Sequence, residues 1–137
     1  MITLAEYFGR WVNHIDATEE RKANARALLA SCELLENRML ADGFAFPTNP
    51  ATGSGVSGSK YGGFRPQDCP IGAPKSNHKI GLAVDRFDPL NQIDEWCMEH
   101  QDVMKECGIW LEHPSATDKW SHWQAVRPGS GNRVFYP

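Results

Sequence analysis

The chain has 137 residues, enough for one domain with a real hydrophobic core. Its composition, 41% hydrophobic and 23% charged, is ordinary for a soluble protein, and no apolar run approaches the length of a membrane span. A net charge of −3 with no lysine or arginine run argues against a nucleic-acid footprint, and gives no electrostatic pull toward an anionic polymer.

The opening residues, Met1-Ile2-Thr3-Leu4-Ala5-Glu6, lack the basic start and apolar stretch of a signal peptide, so a cytoplasmic site of synthesis is expected. Thr3-x-x-Glu6 fits a capping box, which opens a short helix with Leu4, Tyr7, Phe8 and Trp11 along one side. Asp16-x-x-Glu19 has the look of a second helix start, and the run that follows reaches Leu40 and stops at Asp42-Gly43. Along it Leu28, Cys32, Leu35 and Met39 recur at helical steps, an apolar stripe expected to cover a sheet. Cys32, Cys69, Cys97 and Cys107 include no C-x-x-C pair and are expected as reduced, packed thiols; a Cys97–Cys107 bridge is open only after export.

Residues 48–63 are dense in Gly, Ser, Pro and Asn and read as a flexible connection or the rim of a site. The run lacks Gly-Lys-Ser/Thr and a preceding β-branched strand, so a phosphate loop is discounted. Arg65 follows, either a surface residue beside Pro66 or a fork that grips a carboxylate. Ser76 either hydrogen-bonds near a site or starts a turn.

Ala83 to Phe87 and Trp120 to Val126 read as strands. On the first, Asp85 shares a face with Ala83 and Phe87; on the second, His122 shares a face with Trp120 and Gln124. An aspartate is a poor strand former and costly to bury unpaired, a cost that metal ligation answers. His78, Asp85 and His122 therefore read as a two-histidine, one-carboxylate site for one Zn2+ ion, with a corner left for water. Asp88-Pro89 suggests the start of a helix carrying Ile93, Trp96, Cys97, His100 and Met104 and ending at Gly108; Ile109 to Glu112 is a further strand. His113 is either an exposed loop residue or an aid to catalysis. Trp120 either floors a substrate cleft or packs beneath the metal. The tail from Arg127 is a loop with a short, edge-strand-like end.

Ser76-x-His78-x-x-Gly81-x-Ala83-x-Asp85 resembles the signature of the zinc D-alanyl-D-alanine carboxypeptidases, a superfamily that includes phage L-alanyl-D-glutamate endolysins, vancomycin-resistance dipeptidases and the Hedgehog signalling domain. His122 with Gln124 is similar to the third-ligand strand of that family, and Tyr61-Gly62-Gly63-Phe64-Arg65 is a loose counterpart of its Ser-Gly-Tyr-Arg element. The resemblance implies a zinc peptidase of peptidoglycan stem peptides, acting as a carboxypeptidase or an endopeptidase, from a phage or prophage, that reaches the wall after the membrane is opened. It implies substrate contacts from Arg65, Ser76 and Trp120. One departure concerns the base: the family's carboxylate stands three residues before the last histidine, where this chain has Lys119. Asp118 or Glu112 is then the base, Asp118 if a turn or bulge before Trp120 re-aims it. With neither in reach, the alternative is a non-catalytic, zinc-stabilised binding or virion module.

The expected architecture is α+β: a small antiparallel sheet carrying the zinc site, packed against two or three helices, in one domain spanning 1–137. Its parts are a helical segment (1–45), the glycine-rich loop (48–63) and the sheet region (64–137). A monomer is expected, with a stem peptide as partner, no nucleic acid and no membrane insertion.

Overall fold

The computed structural model describes residues 1–137. Helix α1 (Leu4–Phe8) opens with Thr3 Oγ1 accepting from the Glu6 amide and the Glu6 carboxylate accepting from the Thr3 amide, the reciprocal cap expected. It buries Tyr7 and Phe8, and the Tyr7 hydroxyl donates to the Ala83 carbonyl at 2.9 Å, tying the N-terminus to the sheet.

Helix α2 (Glu19–Ala41) starts two residues later than a cap at Asp16 would place it. Thr18, not Asp16, accepts from the first turn, through a bond from the Arg21 amide. Asp16 instead holds the Gln67 amide at 2.9 Å. The helix ends as the sequence indicates: Gly43 takes φ +88°, and the amides of Gly43 and Phe44 close back on Leu40 and Met39. Leu28, Cys32, Leu35 and Met39 are all buried, so the stripe is core.

The sheet has four strands, β1 (Ala83–Phe87), β2 (Trp110–Glu112), β3 (Trp120–Gln124) and β4 (Val134–Phe135), in the order β1-β3-β2-β4. β3 pairs antiparallel with β1 and β2, but β4 runs parallel to β2, so the sheet is mixed rather than wholly antiparallel. Both edges of β3 are already taken; the returning tail therefore crosses β2 and lands on its outer edge. Arg133 fixes that landing, donating to the Ile109 carbonyl and lying over the Trp110 ring.

The expected helix after Asp88-Pro89 is two helices, α3 (Gln92–Glu99) and α4 (Gln101–Cys107), broken at His100, whose φ is −131°. α3 begins later than expected because Asn91 takes the left-handed region; Asp88 still serves the start, accepting from the amides of Ile93 and Asp94. Gly108 ends α4 at φ +75°. The helix-facing side of the sheet (Val84, Leu111, Trp123) joins α2, α3 and α4 in one apolar cluster of 20 buried residues. All four thiols are free and buried. No helix is long and apolar enough to cross a membrane.

The glycine-rich stretch is built rather than slack. It runs along the outer edge of β1: the Ser57 amide donates to the Asp85 carbonyl, the Asp85 amide to Gly62, and the Phe87 amide to Gly55. That edge is thereby covered and Asp85 is held at its backbone on both sides. Gly63 has no room for a side chain, since a Cβ would lie 2.0 Å from the Tyr7 carbonyl oxygen.

Candidate metal centre

The site stands on the sheet face away from the helices. Registry places Asp85 directly opposite His122, and one step further along the β2–β3 pairing Glu112 comes beside His122. Period-two alternation then points all three side chains to one face. His78 arrives from a 3-10 turn, Asn77–Ile80, that Ser76 opens by accepting from the His78 amide. Gly81 ends this turn at φ +81°, against the α2 backbone: a Cβ there would lie 2.5 Å from the Arg21 carbonyl oxygen. Only glycine lets the chain pass from the turn into β1 at that approach.

His78, Asp85 and His122 are buried and offer three ligand atoms within 4.8 Å of one another. Asp85 Oδ1 lies 2.8 Å from His122 Nδ1 and 3.3 Å from His78 Nε2. The outer partners fix which ring nitrogens bear hydrogen. His78 Nδ1 donates to the Gly63 carbonyl at 2.8 Å, so its Nε2 presents a lone pair inward. Gln124 donates its amide N–H to the Val126 carbonyl, which turns its Oε1 toward His122 Nε2 at 3.0 Å. His122 Nε2 is then the N–H, and Nδ1 presents the inward lone pair. With both imidazoles neutral, two lone pairs and a carboxylate oxygen thus converge on one point, an arrangement completed by a cation or by a proton shared between His122 Nδ1 and Asp85 Oδ1.

Asp85 Oδ2 is taken by Arg65 Nη2 at 3.0 Å, which leaves Oδ1 for the centre. Arg65 also donates through Nε to the Tyr61 carbonyl and through Nη1 to Ile71, so it joins both rims of the site to the carboxylate.

The charges follow the geometry. Burial alone would raise the Asp85 pKa, but both histidines hold it well below the usual carboxylate range. Burial pushes His78 down, against the pull of the Asp85 charge, and leaves it neutral. Burial opposes charge on His122 as well, yet the hydrogen bond and charge of Asp85 raise its pKa. In the metal-free protein this favours a proton on His122 Nδ1 toward Asp85 Oδ1, at the place a cation would take. Burial, with the Asp85 charge, pushes Glu112 up, which the His122 charge only partly offsets.

A cavity of about 430 Å³ opens on this point, and its walls include Arg65, Ser76, Glu112 and Trp120 beside the three converging residues. Glu112 Oε2 lies 3.7 Å from His122 Nδ1. Asp118 is elsewhere. A turn does precede Trp120, with Lys119 at φ +72°, but it carries Asp118 to the surface, 3.4 Å from Asn91 Nδ2 and outside the cavity wall. Of the two acids weighed from sequence, the structure brings only Glu112 to the site. His113 bonds Ser115 and stacks on Tyr136, also outside the wall.

Two contributors add to the sequence reading. Gln124, expected on the His122 face, gains a role as the acceptor behind His122 Nε2. The Gly63 carbonyl, brought in by a loop, left no such trace. Set against family models, curated proteins and solved structures, the chain matches none. What the fold and site define together is an α+β domain with a buried His-Asp-His cluster able to hold a metal ion beside one free carboxylate in an open cavity.

Proposed function

We propose that this chain is a zinc-dependent peptidase that hydrolyses the stem peptides of peptidoglycan. The observation that carries the reading is the convergence of His78 Nε2, His122 Nδ1 and Asp85 Oδ1 on one point, with Glu112 beside it in an open cavity. Two imidazoles and a carboxylate are the donor set of catalytic zinc, which keeps a fourth position for water. The resemblance of the Ser76–Asp85 stretch to zinc carboxypeptidases of cell-wall peptides supplies the substrate class.

When bound, zinc supplies a water of lowered pKa and a Lewis acid for the scissile carbonyl. Glu112 is the general base: its carboxylate takes the proton from the attacking water, and the resulting acid returns it to the leaving amine. Burial raises its pKa above the ordinary carboxylate value, the direction that favours a carboxyl able to hold and return a proton. Arg65 keeps Asp85 turned to the centre. Trp120 and Ser76 wall the space the peptide occupies.

The test is hydrolysis of purified muropeptides by zinc-loaded protein, with metal content measured in parallel. Glu112→Gln is expected to bind zinc with unchanged stoichiometry and to lose ~10²–10⁴-fold in kcat. Zinc bound at one equivalent with no turnover by the unaltered protein would make the centre structural, as in the virion-module alternative. Turnover that survives complete zinc removal would sink the reading.

A further inference from the structure

Residues 66–76 form one wall of the metal cavity, through Ile71, Gly72, Ala73, Lys75 and Ser76, yet they contain no helix or strand. Three of them, Pro66, Pro70 and Pro74, have no amide hydrogen to donate. The segment's own backbone bonds are two, from the Cys69 amide to Pro66 and from the Ser76 amide to Ala73. Ile71, Gly72, Ala73, Pro74 and Lys75 are all exposed. A stretch so thinly bonded opens readily unless something else holds it.

Lys79 is what holds it. The side chain is buried, and its Nζ donates to the Gln67 carbonyl at 2.8 Å and to the Pro74 carbonyl at 3.2 Å. Those carbonyls stand near opposite ends of the segment, so one nitrogen closes it into a ring. The near end is fixed further, with Gln67 Nε2 donating to the Lys79 carbonyl and the Gln67 amide to Asp16. Arg65 Nη1 takes the middle, at the Ile71 carbonyl. A buried lysine nitrogen is costly to desolvate, and both partners that offset the cost here belong to the wall. Lys79 is not itself part of the cavity lining, so it reaches the cavity only through the loop. We infer that Lys79 is a positioning residue, which sets this wall in place before any substrate arrives. Neighbours in sequence thus divide the labour: His78 serves the metal centre and Lys79 the wall beside it.

The consequence is a separation of binding from turnover. A wall already ordered costs an entering substrate no ordering entropy. Without Lys79 the substrate must order the segment itself, which raises KM and leaves the reacting atoms as they were. That consequence rests on the peptidase reading above; the hold on the loop does not.

The experiment is limited trypsin digestion of the zinc-loaded full chain, unaltered and as Lys79→Met, with fragments read by mass spectrometry. Lys75 in the wall and Lys60 in the glycine-rich loop are both exposed, and the second is the internal control. Cleavage after Lys75 is expected to quicken about 10–100-fold in Lys79→Met, with cleavage after Lys60 and zinc stoichiometry unchanged. Equal acceleration at both sites, or none at Lys75, overturns the inference. Hydrogen exchange of the unaltered protein tests it with no substitution. The Cys69 and Ser76 amides are expected to be protected about tenfold or more, and exchange at the rate of an unfolded chain overturns the pre-set wall. On muropeptides, KM is expected to rise about tenfold in Lys79→Met with kcat within about threefold. A fall in kcat with KM unchanged overturns the positioning role. No turnover by the unaltered protein sinks the peptidase reading instead, and digestion and exchange then decide the hold on the loop.

Discussion

Adjacent residues of β1, Asp85 and Arg86, send opposite charges to opposite faces of the sheet, and the two faces treat charge differently. On the helix side Arg86 bonds Glu36 of α2, and Glu36 is also 3.3 Å from the Met1 amine. The Arg86 guanidinium lies between the rings of Phe46 and Trp123, with centroids 4.5 and 4.9 Å away. Opposite charges are paired there, and the buried side-chain atoms left without a partner are Arg86 Nε and, on α3, Asp94 Oδ1. On the open side Asp85 meets two imidazoles whose outward N–H groups are spoken for, so with both rings neutral only acceptors face the point where Asp85 Oδ1 lies. A balanced buried pair holds a fold together. A buried excess of acceptors is kept for something that arrives from outside.

The sharpest way to break this contrast is to unbalance the closed side. Arg86→Met leaves Glu36 buried beside only the half-exposed Met1 amine, and is expected to cost about 3–5 kcal/mol. That is a large share of a domain's ~5–15 kcal/mol, so denaturant titration would show partial unfolding. Adding Glu36→Leu removes the stranded charge and should restore much of the loss. If the single change costs no more than a surface substitution, the helix-side pair is not the balanced structural element described.

The open side should respond to zinc instead. At free zinc about 100 times Kd the gain is about 2.7 kcal/mol, and a chelator or His122→Ala should erase it. The pH dependence has a definite sign. His122 is raised above its ordinary 6.5 in the metal-free fold, so its pairing with Asp85 stabilises fully below pH 6.5 and is lost as pH rises through the raised value. Zinc must displace that proton. Zinc affinity should therefore fall about tenfold for each pH unit below the folded His122 pKa and level off above it. Calorimetry in buffers of different ionisation heat would count the proton released; a count of zero at pH 6 contradicts the assignment.

On the open face itself stands Gln124, which touches no ligand atom but decides which His122 nitrogen is free. Gln124→Leu should weaken zinc binding about 10–100-fold. Gln124→Glu keeps an acceptor toward Nε2 and should recover most of that loss. Equal losses for both would mean that the residue acts by packing alone.

The distribution of what the sequence disclosed has a physical cause. Asp85, His122 and Glu112 sit on strands, where alternation fixes the face from the sequence, so their meeting was legible once the strands were paired. The stripe of α2 was legible for the same reason at a period of 3.6. Turns and loops obey no such period. The break at His100, the late start of α3 at a left-handed Asn91 and the Gly63 carbonyl behind His78 depend on contacts distant in sequence. The Arg86–Glu36 pair was invisible too, since a charged residue at an inward position of a strand and another on a helix stripe give no hint that they are each other's partners. Nor does alternation reveal that the tail pairs parallel with β2, a choice made by which strand edge was left open.

The smallest expected effect concerns the acid that sequence spacing placed nearest the family's base position. Asp118 is exposed, bonded weakly to Asn91, and carried outward by the left-handed Lys119. Asp118→Asn should shift stability by no more than ~0.5 kcal/mol, as a surface change does. It should also leave kcat/KM for a stem peptide within about twofold, while Glu112→Gln removes most of the turnover. The comparison isolates geometry from proximity in sequence: Glu112 is ten residues from His122 but sits beside it across paired strands, and Asp118 is four residues away but faces solvent. Should Asp118→Asn prove the more damaging of the two, the turn before Trp120 must rearrange on binding, and the base would be reassigned.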